Sequence, residues 1–126
     1  MLGYYLHLEE ETLKNDFFRK VLFTGPNSQL VLMALQPFED IGSEIHKEND
    51  QFFRFEAGEG RVIIGDQEFL VGDGDSVVIP AGTKHNIINT SKTVMLKMYT
   101  IYSPSHHPNG TIHETKAEAI VAEAVK

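Results

Sequence analysis

The sequence predicts an all-β barrel or sandwich closed by one C-terminal helix. Short apolar or alternating runs follow one another from Phe17 to Tyr102, each ended by Gly, Pro, Asn or Asp, the pattern of many short strands joined by turns. The intervening GPN, AGEG, GDQ, VGDGD and PAGT supply the positive φ of glycine and the preset φ of proline that tight reversals need. Beyond Thr115 the apolar period changes from that of a strand to that of a helix.

In chain order, Leu8 to Asn15 is long enough for a helical turn but poorly periodic, and Glu9, Glu10 and Glu11 read as its solvated start. The expected strands are FRKVLFT, SQLVLMAL, QFFRFEA, GRVIIG, QEFLVG, DSVVIP, KHNIIN and TVMLKMYTIY, with Asp73 and Asp75 as turn residues. A Pro/His-rich loop, YSPSHHPNGTIH, separates the last strand from the helix. In that helix Thr115 and Glu118 are spaced like a capping box, and Ala117, Ile120, Val121, Ala124 and Val125 recur as its apolar face.

The 126 residues fit a single domain, 1–126, with a barrel core at about 28–102 and a loop and helix at 103–126. Eleven basic against eighteen acidic residues give a net charge of -7, which repels phosphate backbones and anionic headgroups and so argues against nucleic acid and membrane partners. Without cysteine there is neither a disulfide nor a thiolate site, and any metal must be held by imidazole, carboxylate or amide groups. The start, MLGYYLHLEEETLKND, carries acids where a secretory signal would be basic, and no run approaches a membrane span, so a cytoplasmic address is expected.

The chemistry concentrates between Gly74 and Asn89. GDSVVIPAGTKHNIIN fits G-x5-P-x-G-x2-H-x3-N at five positions in sixteen residues: Gly74 turns into a strand, Pro80 and Gly82 make the next turn, and His85 opens the following strand facing inward. This stretch resembles the second motif of the cupin superfamily. The resemblance covers roughly Val31 to Tyr102 and implies a double-stranded β-helix, the cupin jelly-roll barrel, with a strand pair at the N-terminus and the helix packed outside.

In cupins the first motif resembles G-x5-H-x-H-x3,4-E-x6-G. Counting back from Gly58 puts its glutamate on Gln51, its histidines on His46 and Glu44, and its leading glycine on Phe38. The spacing is kept and three residue types differ. The resemblance therefore implies a metal set of Glu44, His46, Gln51 and His85 for a divalent ion such as Fe, Mn, Ni or Zn. Two imidazoles and a carboxylate suit such ions, and the Gln51 oxygen either completes the shell or orients a water. Alternation places Glu44 and His46 on one face, and Gln51 with Phe53 and Phe55, giving polar groups over an aromatic-lined cavity for a small-molecule ligand.

His106, His107 and His113 lie in or beside the Pro/His-rich loop and could reach over the barrel mouth as a lid or an added ligand, or stand as an exposed turn. His106, His107 and Tyr102 are the candidate proton carriers; Lys97, Tyr99 and Tyr102 are candidates to line the cavity, although alternation lets only one of Lys97 and Tyr102 point inward. The whole chain resembles small cupins labelled as related to mannose-6-phosphate isomerase, through Glu44-x-His46-x4-Gln51 and the tail YSPSHHPNGTIHETK. Two function classes follow. One is a metal-dependent enzyme on a small sugar-like or carbonyl compound, an isomerase, epimerase or dioxygenase. The alternative is a non-catalytic ligand-binding or sensing cupin. A homodimer is expected, because the apolar FFRKVLFT strand needs its edge covered.

Overall fold

Two antiparallel sheets share one apolar interior in the structure, a computed structural model that describes residues 2–124. The elements are α1 (Leu8–Lys14), β1 (Arg19–Thr24), β2 (Gln29–Leu35), β3 (Asp50–Ala57), β4 (Glu59–Ile64), β5 (Gln67–Gly72), β6 (Ser76–Ile79), β7 (His85–Asn89), β8 (Leu96–Ser103), β9 (Ile112–His113) and α2 (Lys116–Ala124). Six strands in the order β6-β3-β8-β2-β1-β9 form the larger sheet, and β5-β4-β7 the smaller. Because β8 lies between β2 and β3, and β7 beside β4, the ladders join distant parts of the chain in the double-stranded β-helix expected from the motifs.

Alternation decides what each strand buries. In β8, Leu96, Met98, Thr100 and Tyr102 are buried while Lys97, Tyr99 and Ile101 are only half-buried on the other face. Lys97 and Tyr99 therefore leave the site, and the Lys97 ammonium instead binds the Leu13 carbonyl and Asp16. Phe53 and Phe55 are fully buried within the core cluster, so the aromatic lining expected for a cavity is packed interior. Fully burying each such side chain contributes roughly 1.5–3 kcal/mol.

The second-motif residues act as their spacing implies. Gly74 and Gly82 have φ of 87° and 83°, the Thr83 amide bonds the Pro80 carbonyl, and His85 is buried. Asn89 is fully buried, and its amide donates to the carbonyls of Leu35, Gln36 and Val94. It ties the ends of three segments together.

The helical turn expected from Leu8 forms as the two-turn α1, supported by a Glu10–Lys14 pair at 3.0 Å and a Thr12 hydroxyl bonded to the Leu8 carbonyl at 2.7 Å, and it packs on β8 and β3; the N-terminal strand pair is β1 with β2. Three features depart from the expectations. The strand expected from Thr93 begins at Leu96, because the Ser91 hydroxyl captures the amides of Thr93 and Val94 in a turn. The first residues of the β1 edge, Arg19 and Lys20, are paired by β9 of the same chain, a short strand that the pattern did not give. Helix α2 has its Thr115 cap, accepting from the Glu118 amide at 3.1 Å, yet it docks through Ala119 and the Lys116–Asp40 and Glu123–Arg19 pairs. Ile120 and Val121, expected inward, are 56% and 66% exposed; Val125 lies outside the described residues.

The first motif's two turn positions are filled by different residues. Gly58 has φ 92°, and a Cβ there would meet the Met95 carbonyl oxygen at 2.5 Å, so only glycine fits. Phe38 stands where the cupin pattern has its leading glycine, and it keeps the glycine-like backbone at φ 63°. Phe38→Gly is expected to raise the unfolding free energy by about 0.5–1 kcal/mol, the relief of left-handed strain less the added chain entropy. Gly58→Ala is expected to lower it by more than about 2 kcal/mol. Urea titrations of both variants check the pair of signs.

Candidate metal centre

Across β2, β8 and β3 the register aligns Gln29, Tyr102 and Gln51 in one inward row. All three are at most 3% exposed. The next inward row, Val31, Thr100 and Phe53, begins the apolar interior, with Thr100 accepting from the Gln51 amide at 3.0 Å. The polar groups thus collect at one end of the barrel.

Residues 40–46 bring the first-motif side chains over this row. The segment runs beside β7 through bridges Asp40 to Ile88 and Glu44 to His85. It is fastened by the Asn86 side chain, which accepts from the Gly42 amide and donates to Asp40, and by a bond from the Gly82 amide to the His46 carbonyl. Glu44 and His46, two apart, then face the same way, with His46 Nε2 at 3.3 Å from Glu44 Oε2.

The Pro/His-rich loop closes the site from the other side. Its chain leaves β8 through a cis Ser103–Pro104 peptide. The Asn49 amide donates to the carbonyls of Pro104 and Ser105, and Gln29 holds both histidines: its oxygen accepts from the His106 and His107 amides at 3.1 and 3.0 Å, and its nitrogen donates to the His107 carbonyl at 2.7 Å. This places the His106 ring 4.2 Å from that of His46, and His107 Nε2 at 3.2 Å from the Tyr102 hydroxyl.

Glu44, His46 and His106 each offer a donor atom, and the three atoms lie within 4.8 Å of one another. His85 stands beside them, its ring 5.2 Å from that of His46. Its Nδ1–H donates to the Thr83 carbonyl at 2.9 Å, which leaves Nε2 with the lone pair a metal needs. Glu44, His46, Gln51, His85, Tyr102, His106 and His107 are therefore all found at this end of the barrel. His106 occupies the place that the added-ligand alternative requires. His113 points elsewhere, with Nδ1 at 3.2 Å from Arg19 Nη1. Sequence reasoning missed Gln29, Asn49 and Arg19. A buried amide carries no motif, and only the strand register exposes Gln29 as the neighbour of Tyr102.

Burial sets the charge states. Loss of water pushes the Glu44 carboxyl up to about 7, with Arg19 opposing and Glu123 reinforcing. Burial, then the neighbouring His106, His85 and Arg19, pushes His46 down to about 4. His85 is lowered by burial against the opposing Thr83 bond. Near pH 6 the Glu44–His46 contact thus joins two neutral groups. Burial also raises Tyr102, so its hydroxyl keeps its proton.

This donor set fits a divalent cation. Neutral imidazoles have free lone pairs, and a carboxyl that ionises near neutrality needs only a cation to hold it charged. The side-chain oxygen of Gln51 is buried without a hydrogen-bond partner among the described residues, a cost that a metal-bound water or the ion itself would remove. Two cavities reach the cluster, one of about 230 Å³ lined in part by Glu44 and one of about 330 Å³ lined in part by His85. Larger concavities, about 580 Å³ along α1 and 490 Å³ between the free edges of β5 and β6, do not touch it.

Because the folded-state pKa of Glu44 exceeds its unfolded value, the folded chain holds a proton between about 4.5 and 7 that the unfolded chain has released. Stability attributable to Glu44 must fall as pH rises through that window. Metal-free wild type is expected to lose stability relative to Glu44→Gln from about pH 4.5 to about pH 7, with a level difference outside it. Paired thermal melts read this, and a difference of the opposite slope would sink the neutral-carboxyl assignment. Gln29→Ala, which removes four hydrogen bonds, should cost about 2–3 kcal/mol. It should also broaden the His106 and His107 imidazole NMR signals.

Comparison with known proteins agrees with this fold. Residues 31–102 match the family model Cupin_2, described as Cupin domain. The chain is 51% identical over 112 residues to Uncharacterized protein L612 of Acanthamoeba polyphaga mimivirus, covering 86% of this chain and 70% of that one. It is 48% identical over 124 residues to Uncharacterized protein YrkC of Bacillus subtilis, covering 94% and 66%. The chain thus spans about two thirds of the length of these relatives. The crystal structure of BH2720 from Bacillus halodurans superposes with a TM-score of 0.92 at 44% identity, covering 95% of each chain. With its motif, barrel and family match in agreement, the chain belongs to the cupin family.

Proposed function

We propose that this cupin is a divalent-metal enzyme acting on a small carbonyl or sugar-like compound by isomerisation, epimerisation or dioxygenation. The observation that carries the proposal is the convergence of Glu44, His46 and His106 within 4.8 Å, beside His85. A bound Fe, Mn, Ni or Zn ion would supply a Lewis acid for a substrate oxygen. His46 and His106 would hold it through imidazole nitrogens and Glu44 through its carboxylate, with His85 and Gln51 at its flank. Tyr102 and His107 are the proton carriers of this reading. The Tyr102 hydroxyl is kept protonated by burial and touches His107 Nε2, so a proton given up by Tyr102 can be replaced from the imidazole. The resemblance to cupins labelled as related to mannose-6-phosphate isomerase makes phosphorylated sugars a first class to screen. A small-molecule ligand, a homodimer and a cytoplasmic address belong to the same proposal.

A second reading, a binding or sensing cupin without catalysis, is favoured by one observation. Gln51 replaces the pattern's glutamate with a neutral amide. Elemental analysis of wild type, His46→Ala and His106→Ala, each shown to be folded, tests the metal site. Near-stoichiometric metal is expected in wild type and loss of most of it in both variants. Absence of metal after reconstitution with all four ions would overturn the proposal. With metal bound, Tyr102→Phe should keep the ion and lose turnover of a screened carbonyl or sugar phosphate. A loaded protein that binds such compounds and turns none over is the binding cupin.

A further inference from the structure

Arg19 is a charge in an unusual place. It lies on the inward face of β1, in register with Met33, and its side chain is 3% exposed. The sole carboxylate bonded to it among the described residues is Glu123, at 3.2 Å from Nη1, on a side chain that is 46% exposed. Its Nε is buried with no hydrogen-bond partner among the described residues. Leaving a buried charge without its partner is destabilising, so an anion against this guanidinium favours the folded chain.

The partner that meets this need is weakly held. Glu123 sits in the last described turn of α2, and that helix buries only Ala119. The cavity of about 230 Å³ beneath it is bounded by Arg19, Lys116 and Glu123 on one side and by Gly42, Ser43 and Glu44 on the other. Glu44 is also a member of the converging trio. One cavity therefore runs from a buried guanidinium to the edge of the candidate metal centre, and the group now on that guanidinium is a carboxylate.

We propose that Arg19 is the carboxylate-recognition residue of this site and Glu123 its intramolecular stand-in. A small organic acid entering beneath α2 displaces Glu123 from the guanidinium, with its far end directed at Glu44 and the metal centre. Guanidinium nitrogens present a planar fork that matches a carboxylate, so the exchange replaces one such contact by another. The two cations of the cavity already face two carboxylates, which favours a singly charged group over a phosphate dianion. The class named is a small acid bearing a carbonyl or hydroxyl. Its reaction at the far end rests on the metal-enzyme reading above, whereas the anion site does not.

Calorimetric titration of acetate into the metal-free full chain tests the anion site separately from the metal site. Glu123→Gln removes the internal competitor and is expected to bind acetate about tenfold more tightly than wild type, the scale of one charge-assisted contact. Arg19→Gln should abolish binding; if it does not fold, Arg19→Lys, which keeps charge and loses the fork, should bind at least several-fold more weakly. Acetamide, neutral and of the same shape, should bind none of them, and inorganic phosphate should gain nothing from Glu123→Gln. Unchanged acetate affinity in Glu123→Gln, or equal gains for acetamide or phosphate, would overturn the proposal and leave the pair as a helix anchor. Metal content measured on separate, metal-reconstituted preparations of wild type and Glu123→Gln should be equal, so failure of the metal reading and failure of the anion reading are seen in different measurements.

Discussion

Gln29, Gln51 and Tyr102 are neighbours across three strands, and each turns a polar side chain into a barrel whose next row is apolar. A buried amide or hydroxyl costs a few kcal/mol unless partnered, so this row dictates what surrounds it. Gln29 takes the backbone of the His106–His107 loop, Tyr102 takes the His107 imidazole, and Gln51 donates to Thr100 and leaves its oxygen toward the site. The loop is thus part of the barrel's interior accounting. A loop held only by its own turns would not bring His106 into ring contact with His46 and His107 into contact with Tyr102.

Legibility in the sequence followed the range of the interaction involved. Turns and alternation are local, and most strands begin and end within a residue or two of where the pattern puts them. The G-x5-P-x-G-x2-H-x3-N spacing is local as well: its glycines answer to backbone conformation and its histidine to the face of β7. Phe38 shows how far spacing can outlast identity, since its backbone keeps the conformation of the glycine it replaces. What failed was long-range. Strand β9 is two residues long and exists because β1 has an edge to cover. Helix α2 presents Ala119 and two ion-pairing side chains inward, because Arg19 and Asp40 lie beneath it and outweigh Ile120 and Val121. Periodicity locates an apolar stripe, but it does not reveal a buried charge under the helix.

The electrostatics of the centre follow from the same crowding. Glu44, His46 and His85 are all shifted toward their neutral forms, and burial is the largest cause in each case. Neutralisation lets the side chains approach one another without a counter-charge. It also means that a divalent cation would compete with one proton, on Glu44, while both imidazoles stand ready.

Read along the chain, the first motif loses a histidine at Glu44 and a glutamate at Gln51, which suggests a degraded site. Read in space, the carboxylate has moved and an imidazole has been recruited. Glu44 offers the acid from the position of the missing histidine, and His106 offers a nitrogen from a loop 62 residues further along the chain. The set of imidazoles plus one carboxylate is therefore preserved while its members change places. What makes the substitution workable is Gln29, which fixes the His106 and His107 amides with a single carboxamide oxygen. A ligand carried by a loop is useful only if the loop has one conformation, and a fully buried amide on a central strand is the means by which this chain provides it.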